Sequence, residues 1–307
     1  MSPSTPAPPS LVVIANPSAG HGKAGKVVGS VERLLQQAGI EHEIVLSTSG
    51  ADLERRVAAV AGTGVAVGCV GGDGTAGLAA NALVGTDTPL AIFPSGTADD
   101  FAAAIGIRHF STTIAAVTAG VTARIDTGRV TTGAVSRTFV AIASCGFDSE
   151  VNEAANAMRV RLGGTGTYIA ALVKTLSRFT PAGFTIGLDG ERVLGQHMLV
   201  AVGNSTSYGG GMRVTPDASV VDGALDVCML RAVGKPTFLW AFPRVFRGTH
   251  VTHPAVRMAR AREITIDTDR RVLVYADGER VGPTPVTLTV QPASLTVYVG
   301  PNPKAVR

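Results

Sequence analysis

The segment Gly71-Gly72-Asp73-Gly74-Thr75 constrains the fold of this chain more than any other feature. It follows an apolar run at 65–70 that is typical of a buried parallel strand, and a helical pattern follows it. Glycines at a strand-to-helix turn let the backbone approach a ligand and point N–H groups at it. A carboxylate there would repel bare phosphate, which implies a bridging Mg²⁺, water or hydroxyl. The loop therefore indicates a nucleoside triphosphate site, with an ordinary tight turn as the alternative for this loop alone.

Strand and helix patterns alternate over residues 11–126, whereas short strand patterns dominate over residues 127–307. The alternation places strands at 11–15, 43–46, 65–70 and 90–93, with helices at 26–38, 51–61 and 98–105. Such βα alternation predicts a parallel sheet with helices on both faces, and strands without crossover helices predict an antiparallel sandwich or barrel. We therefore expect a loose tail at 1–10, an α/β domain at 11–126 and a mostly β domain at 127–307. The default place for a ligand is a cleft between the two domains.

The composition narrows the class of protein. No apolar run approaches a bilayer span, the Pro- and Ser-rich start does not resemble a signal peptide, and three scattered cysteines favour a reduced, cytoplasmic setting. Aromatic residues make up only 5% and do not interleave with basic ones, which disfavours a nucleic-acid partner. The segment from Arg231 to Arg271 contains nine Lys or Arg residues but only three Asp or Glu residues. This predicts either a solvated basic surface or one that meets an anionic leaflet.

Two familiar phosphate-binding patterns are set aside. The segment at 20–25 matches the G-x-G-x-x-G string, but four residues separate it from the strand end where a dinucleotide fold needs its first glycine. The segment at 20–26 nearly matches a P-loop, but Val27 stands where that loop needs a hydroxyl for Mg²⁺.

Five ordered motifs together support a resemblance that covers nearly the whole chain, from Leu11 to about Val299. They are Asn16–Gly20, Gly71–Thr75, the segment at 94–102, the segment at 216–227 and Asp277-Gly278-Glu279. In this order and spacing the chain resembles the diacylglycerol kinase catalytic-domain family, which includes bacterial soluble lipid kinases and sphingosine kinases. The resemblance implies an N-terminal NAD-kinase-like α/β domain and a C-terminal β-sandwich domain. It also implies transfer of the γ-phosphoryl group of ATP to a lipid hydroxyl, with Mg²⁺.

The resemblance assigns roles to individual residues. The phosphates of ATP would be bound by the Gly-rich loops, namely Asn16, Pro17, Gly20, Gly72, Asp73, Gly74, Thr75, Gly96 and Thr97. Asp277 is the expected catalytic base, with Glu279 as the second carboxylate of its motif. The same tripeptide recurs as Asp189-Gly190-Glu191, where we expect only a β-turn.

Two metal roles are implied in the same way. Asp222, with the backbone around Ser219 and Ala224, matches a structural Mg²⁺ site of bacterial members. Asp73, Asp100 and Asp126 match acids that organise Mg²⁺–ATP. The alternative for Asp126 is an aspartate that forms a turn.

The remaining expectations concern the lipid and the departures from the family pattern. Phe147, Tyr168, Leu172 and Met212 are candidates for an apolar groove, with ordinary core as the alternative. Asp99 stands where the family usually has asparagine, Ala19 where it has serine and Ala103 where it often has a basic residue. The alternatives to a lipid kinase are an NAD kinase, which shares the Gly-Gly-Asp-Gly-Thr loop, and a non-catalytic lipid or nucleotide sensor. A homodimer and a peripheral position at the inner leaflet of the membrane complete the prediction.

Overall fold

The computed structural model describes residues 10–15, 24–96, 98–133, 135–157 and 164–301 of the 307-residue chain. The chain forms two compact units, Met1–Ile125 together with Ala293–Arg307, and Asp126–Pro292. The sequence analysis instead expected the second domain to continue to residue 307. The difference arises because Val297, near the end of the chain, pairs in parallel with Leu90 of the first unit. No local pattern encodes a pairing between residues so far apart in sequence.

The first unit is built from strands and helices in alternation. Its elements are β1 (Leu11–Ala15), α1 (Ala24–Gln37), β2 (His42–Leu46), α2 (Gly50–Val60), β3 (Ala66–Gly71), α3 (Asp73–Leu83), β4 (Leu90–Pro94), α4 (Asp100–Ala104) and α5 (Phe110–Ala119). The strands pair in parallel in the order β2-β1-β3-β4. The parallel α/β sheet predicted from the alternation is confirmed.

The start of α2 shows how the local sequence defines an element. Ser49 is the N-cap residue, and its hydroxyl accepts the N–H of Asp52 at 3.1 Å. The carboxylate of Asp52 in turn accepts the N–H of Thr48 at 2.8 Å and pairs with the guanidinium of Arg56 at 3.0 Å. Such reciprocal capping satisfies donors that a helix start otherwise leaves unpaired.

The second unit is mostly antiparallel. Its elements are β5 (Thr122–Thr132), which begins in the first unit, β6 (Val135–Phe139), β7 (Ile142–Gly146), α6 (Phe147–Ala157), α7 (Gly164–Arg178), β8 (Ala182–Leu188), β9 (Glu191–Gly203), β10 (Leu225–Arg231), α8 (Lys235–Ala241), two 3₁₀ helices (Phe242–Arg247 and Thr249–Thr252), β11 (Val256–Ala261), β12 (Glu263–Thr268), β13 (Leu273–Ala276), β14 (Glu279–Pro283) and β15 (Val286–Tyr298), which ends in the first unit. The first half of β9 pairs with β8, and its second half lies between β7 and β10.

The core of the second unit lies between these strands. Its fully buried side chains include Val130, Phe139, Ile186, Val200, Val227 and Ile264. The predicted antiparallel β-sandwich is confirmed.

The three cysteines of the chain, Cys69, Cys145 and Cys228, are buried free thiols, and burial raises the pKa of each to about 12. Among the described helices, none combines the length and apolarity needed to cross a bilayer.

Candidate active site

The Gly-rich loop of the first unit lies where β3 ends and α3 begins. Gly71 is the last residue of β3, Gly72 is the N-cap of α3 and Asp73 is the first residue of the helix. A Cβ atom on Gly71 would lie 2.2 Å from the hydroxyl oxygen of Thr75, so only glycine fits there. Glycines on either side of Asp73 leave the start of this 11-residue helix with few side chains, and a helix N-terminus of this kind is suited to binding phosphate.

A second loop packs directly against the first. β3 and β4 are neighbours with Gly71 opposite Pro94, and the N–H of Ser95 donates to the carbonyl of Gly71 at 3.0 Å. A Cβ atom on Gly96 would lie 2.5 Å from the Cα of Gly72. Both glycines are therefore required for the two loops to approach each other. The structure brings these two loops together at one edge of the parallel sheet, as expected for a ligand site of this fold class.

The carboxylate of Asp73 fastens the first loop to the short helix that follows the second. One oxygen accepts the N–H of Phe101 at 2.9 Å, and the other accepts the N–H of Asp100 at 3.2 Å. Burial and, to a smaller extent, the charge of Asp100 raise the pKa of Asp73. The predicted pair of acids in this unit is thus brought together, with the Asp73 carboxylate at the N-terminus of α4.

Asp99, the departure from the family pattern, has a structural role. It adopts a left-handed conformation with φ +53°, and its carboxylate accepts the N–H of Gly96 at 2.9 Å. Asparagine adopts this conformation readily, and its side-chain carbonyl can accept the same hydrogen bond. Burial, together with the charges of Asp73 and Asp100, raises the pKa of Asp99 to about 6. The extra charge therefore lies in an unfavourable position that the usual asparagine avoids.

Asp99→Asn is expected to stabilise the protein in a pH-dependent way. Because the pKa in the folded state is about 6 and the ordinary value is 3.8, the penalty from ionised Asp99 grows as pH rises from about 4 and is complete above about 6. We expect the variant to gain about 1 kcal/mol at pH 8, after allowance for solvent screening of this half-buried group, and little at pH 4. Urea unfolding at both pH values in EDTA measures this. Equal stability of the two proteins at pH 8 would contradict it.

Several predicted phosphate-binding residues lie outside the described residues. They are Asn16, Pro17, Gly20 and Thr97. Among the others, Gly72, Asp73, Gly74, Thr75 and Gly96 belong to the two loops described above.

In the second unit, Asp277 forms the tight turn between β13 and β14. Its φ is +48° and that of Gly278 is +81°, a pair of left-handed residues suited to a two-residue hairpin. Its carboxylate accepts three backbone N–H groups, from Val140 at 2.7 Å, Ala141 at 3.0 Å and Ile142 at 3.1 Å. The turn therefore holds this carboxylate in a fixed orientation against the connection between β6 and β7.

The second Asp-Gly-Glu tripeptide has nearly the same local geometry. Asp189 also has φ +48°, and its carboxylate accepts the N–H of Arg262 at 3.0 Å and of Glu263 at 2.8 Å. Asp189 is exposed, whereas Asp277 is partly buried. Glu279 is exposed at the start of β14, beyond the turn, and does not share the hydrogen bonds of Asp277. The conformation of the tripeptide alone does not distinguish the two turns.

Asn204 belongs to the loop at 203–211, which resembles the family's loop before the metal site of the second domain, although the residue itself was given no individual role. It is fully buried, and its side-chain amide donates to the carbonyls of Asp126 at 2.9 Å and Val140 at 3.0 Å. Its backbone N–H donates to the carbonyl of Ala141 at 2.9 Å. Asn204 therefore braces the same segment that supplies N–H groups to Asp277. The only sequence signal was the polar Gly203-Asn204-Ser205 loop directly after an apolar strand.

Asp126 was considered as a turn-forming aspartate or as an acid of the ATP site. The structure places it within β5, with the side chain buried. Its carboxylate accepts the N–H of Gly223 at 2.7 Å, and its backbone N–H donates to the carbonyl of Val220. Asp126 thus holds the loop that carries Asp222.

The expected metal site of the second unit is only partly assembled by side chains. The carboxylate of Asp222 accepts the N–H of Ala224 at 3.2 Å and pairs with the guanidinium of Arg260. Ser219 is buried nearby in the chain. Within the described residues, no three His, Cys, Asp or Glu side chains converge closely enough to hold a metal ion. Backbone carbonyls and water would have to complete the coordination, which is normal for Mg²⁺.

The neighbouring carboxylate of Asp226 pairs with Arg260. Asp226 is buried, and one of its carboxylate oxygens has no hydrogen-bond partner among the described residues. Burial and the charges of Asp222 and Asp217 raise its pKa to about 6, and Arg260, whose Nε lies 3.8 Å away, offsets only part of this. The oxygen without a hydrogen bond is the one that lies near Arg260, so the positive charge beside Asp226 in this structure is a guanidinium.

An apolar pocket lies within the second unit. It lies between β9 and β10 on one side and α8 with the 3₁₀ helices on the other, and its cavity volume is about 80 Å³. Its walls include Phe147, Leu199, Tyr208, Met212, Leu230, Phe238, Phe242 and Val245. Two of the four predicted groove residues, Phe147 and Met212, line it. Leu172 is instead buried in the adjacent core cluster, and the side chain of Tyr168 lies outside the described residues.

Comparisons with known proteins match both the α/β part and the β part of the chain. The diacylglycerol kinase catalytic domain matches residues 10–130, and the YegS C-terminal NAD kinase beta sandwich-like domain matches residues 141–299. A diacylglycerol kinase of Mycobacterium tuberculosis (strain ATCC 25618 / H37Rv) is 36% identical over 292 residues, which cover 94% of each chain. The chain belongs to the diacylglycerol kinase family. It is a lipid kinase that uses ATP.

Other members of the family agree with this assignment. A diacylglycerol kinase of Bacillus subtilis (strain 168) is 28% identical over 280 residues, which cover 89% of this chain and 90% of that protein. The crystal structure of a diacylglycerol kinase from Bacillus anthracis str. Sterne shares the fold, with a TM-score of 0.73 at 20% identity over 95% of this chain and 97% of that one. The sequence relatives favour the lipid kinase over the alternative of an NAD kinase, and the structural likeness shows the shared fold.

Proposed function

We propose that this kinase transfers the γ-phosphoryl group of ATP to the free hydroxyl of a diacylglycerol-like lipid, in the presence of Mg²⁺. The observation that carries the choice of acceptor is the 36% identity to a diacylglycerol kinase over 94% of both chains. The apolar walls of the pocket in the second unit support it, because a lipid acceptor needs an apolar surface to contact its acyl chains. We further propose a cytoplasmic protein that works at the inner leaflet, without a nucleic-acid partner. We also propose a homodimer, because β14 lies at the edge of the sheet, where a strand of a second copy can pair with it.

The first unit is proposed to bind the triphosphate. Its two glycine loops present backbone N–H groups at the start of α3, and Thr75 adds a hydroxyl next to them. Asn16, Pro17, Gly20 and Thr97 are proposed to complete the cradle. Asp73 and Asp100 supply the carboxylates for Mg²⁺, and Asp126 is proposed to act with them. Bound there, Mg²⁺ would neutralise charge on the phosphates.

The second unit is proposed to present the acceptor hydroxyl to the catalytic base. Phosphoryl transfer demands alignment and charge neutralisation rather than covalent chemistry from the protein. Three backbone N–H donors fix the carboxylate of Asp277, so it is oriented before the substrate arrives. In this proposal Asp277 aligns the lipid hydroxyl and accepts its proton. The exposed Glu279, next to the Asp277 turn at the start of β14, assists Asp277. Asp222, with backbone at Ser219 and Ala224, would hold a structural Mg²⁺ in this unit.

A labelling experiment tests the proposal. The protein is incubated with Mg²⁺ and ATP labelled in the γ-phosphate, together with mixed micelles of diacylglycerol, phosphatidylglycerol or a sphingoid base, or with aqueous NAD⁺. We expect label in the organic phase with diacylglycerol, and loss of the signal in EDTA. Label only in another lipid would replace the acceptor, and label in NAD⁺ would replace the function. Measurable ATP binding without any labelled product would support the sensor alternative.

A further inference from the structure

One short segment of the second unit exposes an unusual set of side chains. It comprises α8 and the 3₁₀ helix Phe242–Arg247, which we call the docking segment, residues 235–247. Trp240 is 72% exposed, Leu239 48% and Phe246 47%. Nine large hydrophobic side chains are exposed in the described part of the chain, and the two aromatic ones both belong to this segment. Large exposed aromatic side chains in a cluster mark a surface that meets an apolar partner.

The opposite face of the docking segment is also apolar. Phe238, Ala241, Phe242 and Val245 line the pocket described above. The rings connect one face to the other, with centroids 5.8 Å apart for Phe238 and Phe242 and 5.9 Å apart for Phe242 and Phe246. A helix packed on a protein in water normally buries one apolar face and presents a polar one. The docking segment therefore exposes large apolar side chains although it already buries an apolar face.

The charged residues along this stretch of the chain all have the same sign. From Arg231 to Arg262 the chain has seven Lys or Arg residues and no Asp or Glu. Lys235, Arg244 and Arg247 lie on the docking segment, and within the described residues none of the three forms a salt bridge. The guanidinium of Arg244 lies 5.9 Å from the ring centre of Trp240. Basic residues farther along are already paired, as Arg257 is with Glu191.

We propose that the docking segment attaches this kinase to an anionic lipid surface. Trp240, Leu239 and Phe246 enter the headgroup region, while Arg247 faces the lipid phosphates. The ammonium of Lys235 already donates to the carbonyl of Ser177 at 2.6 Å, so it contributes charge near the surface rather than a free donor. Aromatic side chains with a polar edge and basic side chains with long apolar stems both suit this interface. Charge complementarity selects a lipid surface over a neutral apolar partner. The proposal rests on the proposed function, because it places a wall of the apolar pocket against the membrane that holds the substrate.

The wild-type protein carries its own probe. Trp240 is the only tryptophan in the chain, so the emission of tryptophan reports on this segment alone. The protein is titrated with vesicles of phosphatidylcholine containing phosphatidylglycerol, and with vesicles of phosphatidylcholine alone. We expect a blue shift with the anionic vesicles only, reversal by high salt, and quenching by lipids brominated near the headgroup.

Substitutions test the contributions of the individual side chains by vesicle flotation. Trp240→Ser is expected to weaken binding to anionic vesicles about tenfold or more, because it removes the largest inserted side chain. Arg247→Glu changes the charge by two units and is expected to weaken binding to anionic vesicles about fivefold for each unit. The matched controls are Leu194→Ser, a side chain 64% exposed on β9, and Arg192→Glu, also exposed on β9. Both controls are expected to bind as wild type does. All four variants alter exposed positions, and their thermal unfolding midpoints should match the wild type.

The outcomes separate this inference from the proposed function. Vesicle binding is measured without ATP or diacylglycerol, so it stands or falls independently of turnover. If the function is right, Trp240→Ser retains activity on a dispersed short-chain diacylglycerol and loses it on long-chain diacylglycerol in anionic vesicles. Binding without a blue shift would assign docking to another face, and equal binding to neutral vesicles would remove the charge argument. A blue shift that instead accompanies dimer formation without lipid would make the segment a contact between copies.

Discussion

Asp277→Asn is expected to lower kcat by about two to four orders of magnitude, with the KM for ATP nearly unchanged. Asparagine removes the proton acceptor from the proposed base. It also places an amide N–H₂ where the carboxylate accepts backbone N–H groups from residues 140–142, so one of those hydrogen bonds is lost. We therefore also expect the free energy of unfolding to fall by about 1–3 kcal/mol, because one buried backbone N–H is left without an acceptor. Steady-state kinetics and urea unfolding on the same preparation measure both.

Asp189→Asn is the matched control for this prediction. It alters the same tripeptide in a turn with the same φ, where the carboxylate also accepts two backbone N–H groups. We expect it to lower stability while leaving kcat at the wild-type value. If both variants lose activity in proportion to their stability, Asp277 is only a structural residue of its turn. If Asp277→Asn keeps full turnover, another group must align the lipid hydroxyl.

Asp73→Asn is expected to reduce kcat/KM for ATP by about two orders of magnitude. The carboxylate of Asp73 accepts the N–H groups of Asp100 and Phe101, and asparagine retains only one acceptor oxygen for the two donors. The start of α4 then shifts relative to the glycine loop, and a charge proposed to interact with Mg²⁺ is removed. Calorimetric titration with Mg²⁺–ATP and steady-state kinetics at several Mg²⁺ concentrations separate the loss of binding from the loss of turnover.

Asp52→Asn is the control in the same unit. The carboxylate of Asp52 also accepts a backbone N–H at a helix start, from Thr48, and it pairs with Arg56. Hydrogen bonds from Thr48 and Arg56 lower its pKa to about 2, so its contribution to stability is present at neutral pH and is lost as pH falls from about 4 toward 2. We expect a less stable protein with unchanged ATP kinetics. Equal kinetic losses in the two variants would show that Asp73 acts only through folding.

The local sequence was sufficient for the elements of the first unit and for the position of its glycine loops. The predicted strand at 11–15 coincides with β1, and the loop at 71–75 lies between β3 and α3 as expected. Apolar periodicity and turn chemistry act over a few residues, so they can be read directly from the chain. The twin Asp-Gly-Glu turns show where this stops. Both tripeptides form the same hairpin, and their sequence does not say which carboxylate faces a ligand.

The sequence also left the basic run after residue 231 undecided between a solvated face and a surface for an anionic leaflet. The structure shows that the residues of this basic run have different surroundings. Arg257 and Arg260 pair with acids elsewhere in the second unit, whereas Arg247 lies beside exposed aromatic side chains. Burial and pairing depend on which strands become neighbours, so charge counts along the chain do not predict them.

By itself, the sequence determined the α/β and β classes of the two parts, the Gly-rich loops and, through five ordered motifs, the family. Only the tertiary structure showed that the final strand returns to pair with β4 and that Asp73 caps α4. It alone showed that Asp277 is held by N–H groups 135 to 137 residues away in the chain, in a segment braced by Asn204. Each of these contacts joins residues distant in sequence. Such contacts are set by the packing of the whole unit, because no local propensity specifies which distant backbone groups a side chain will meet.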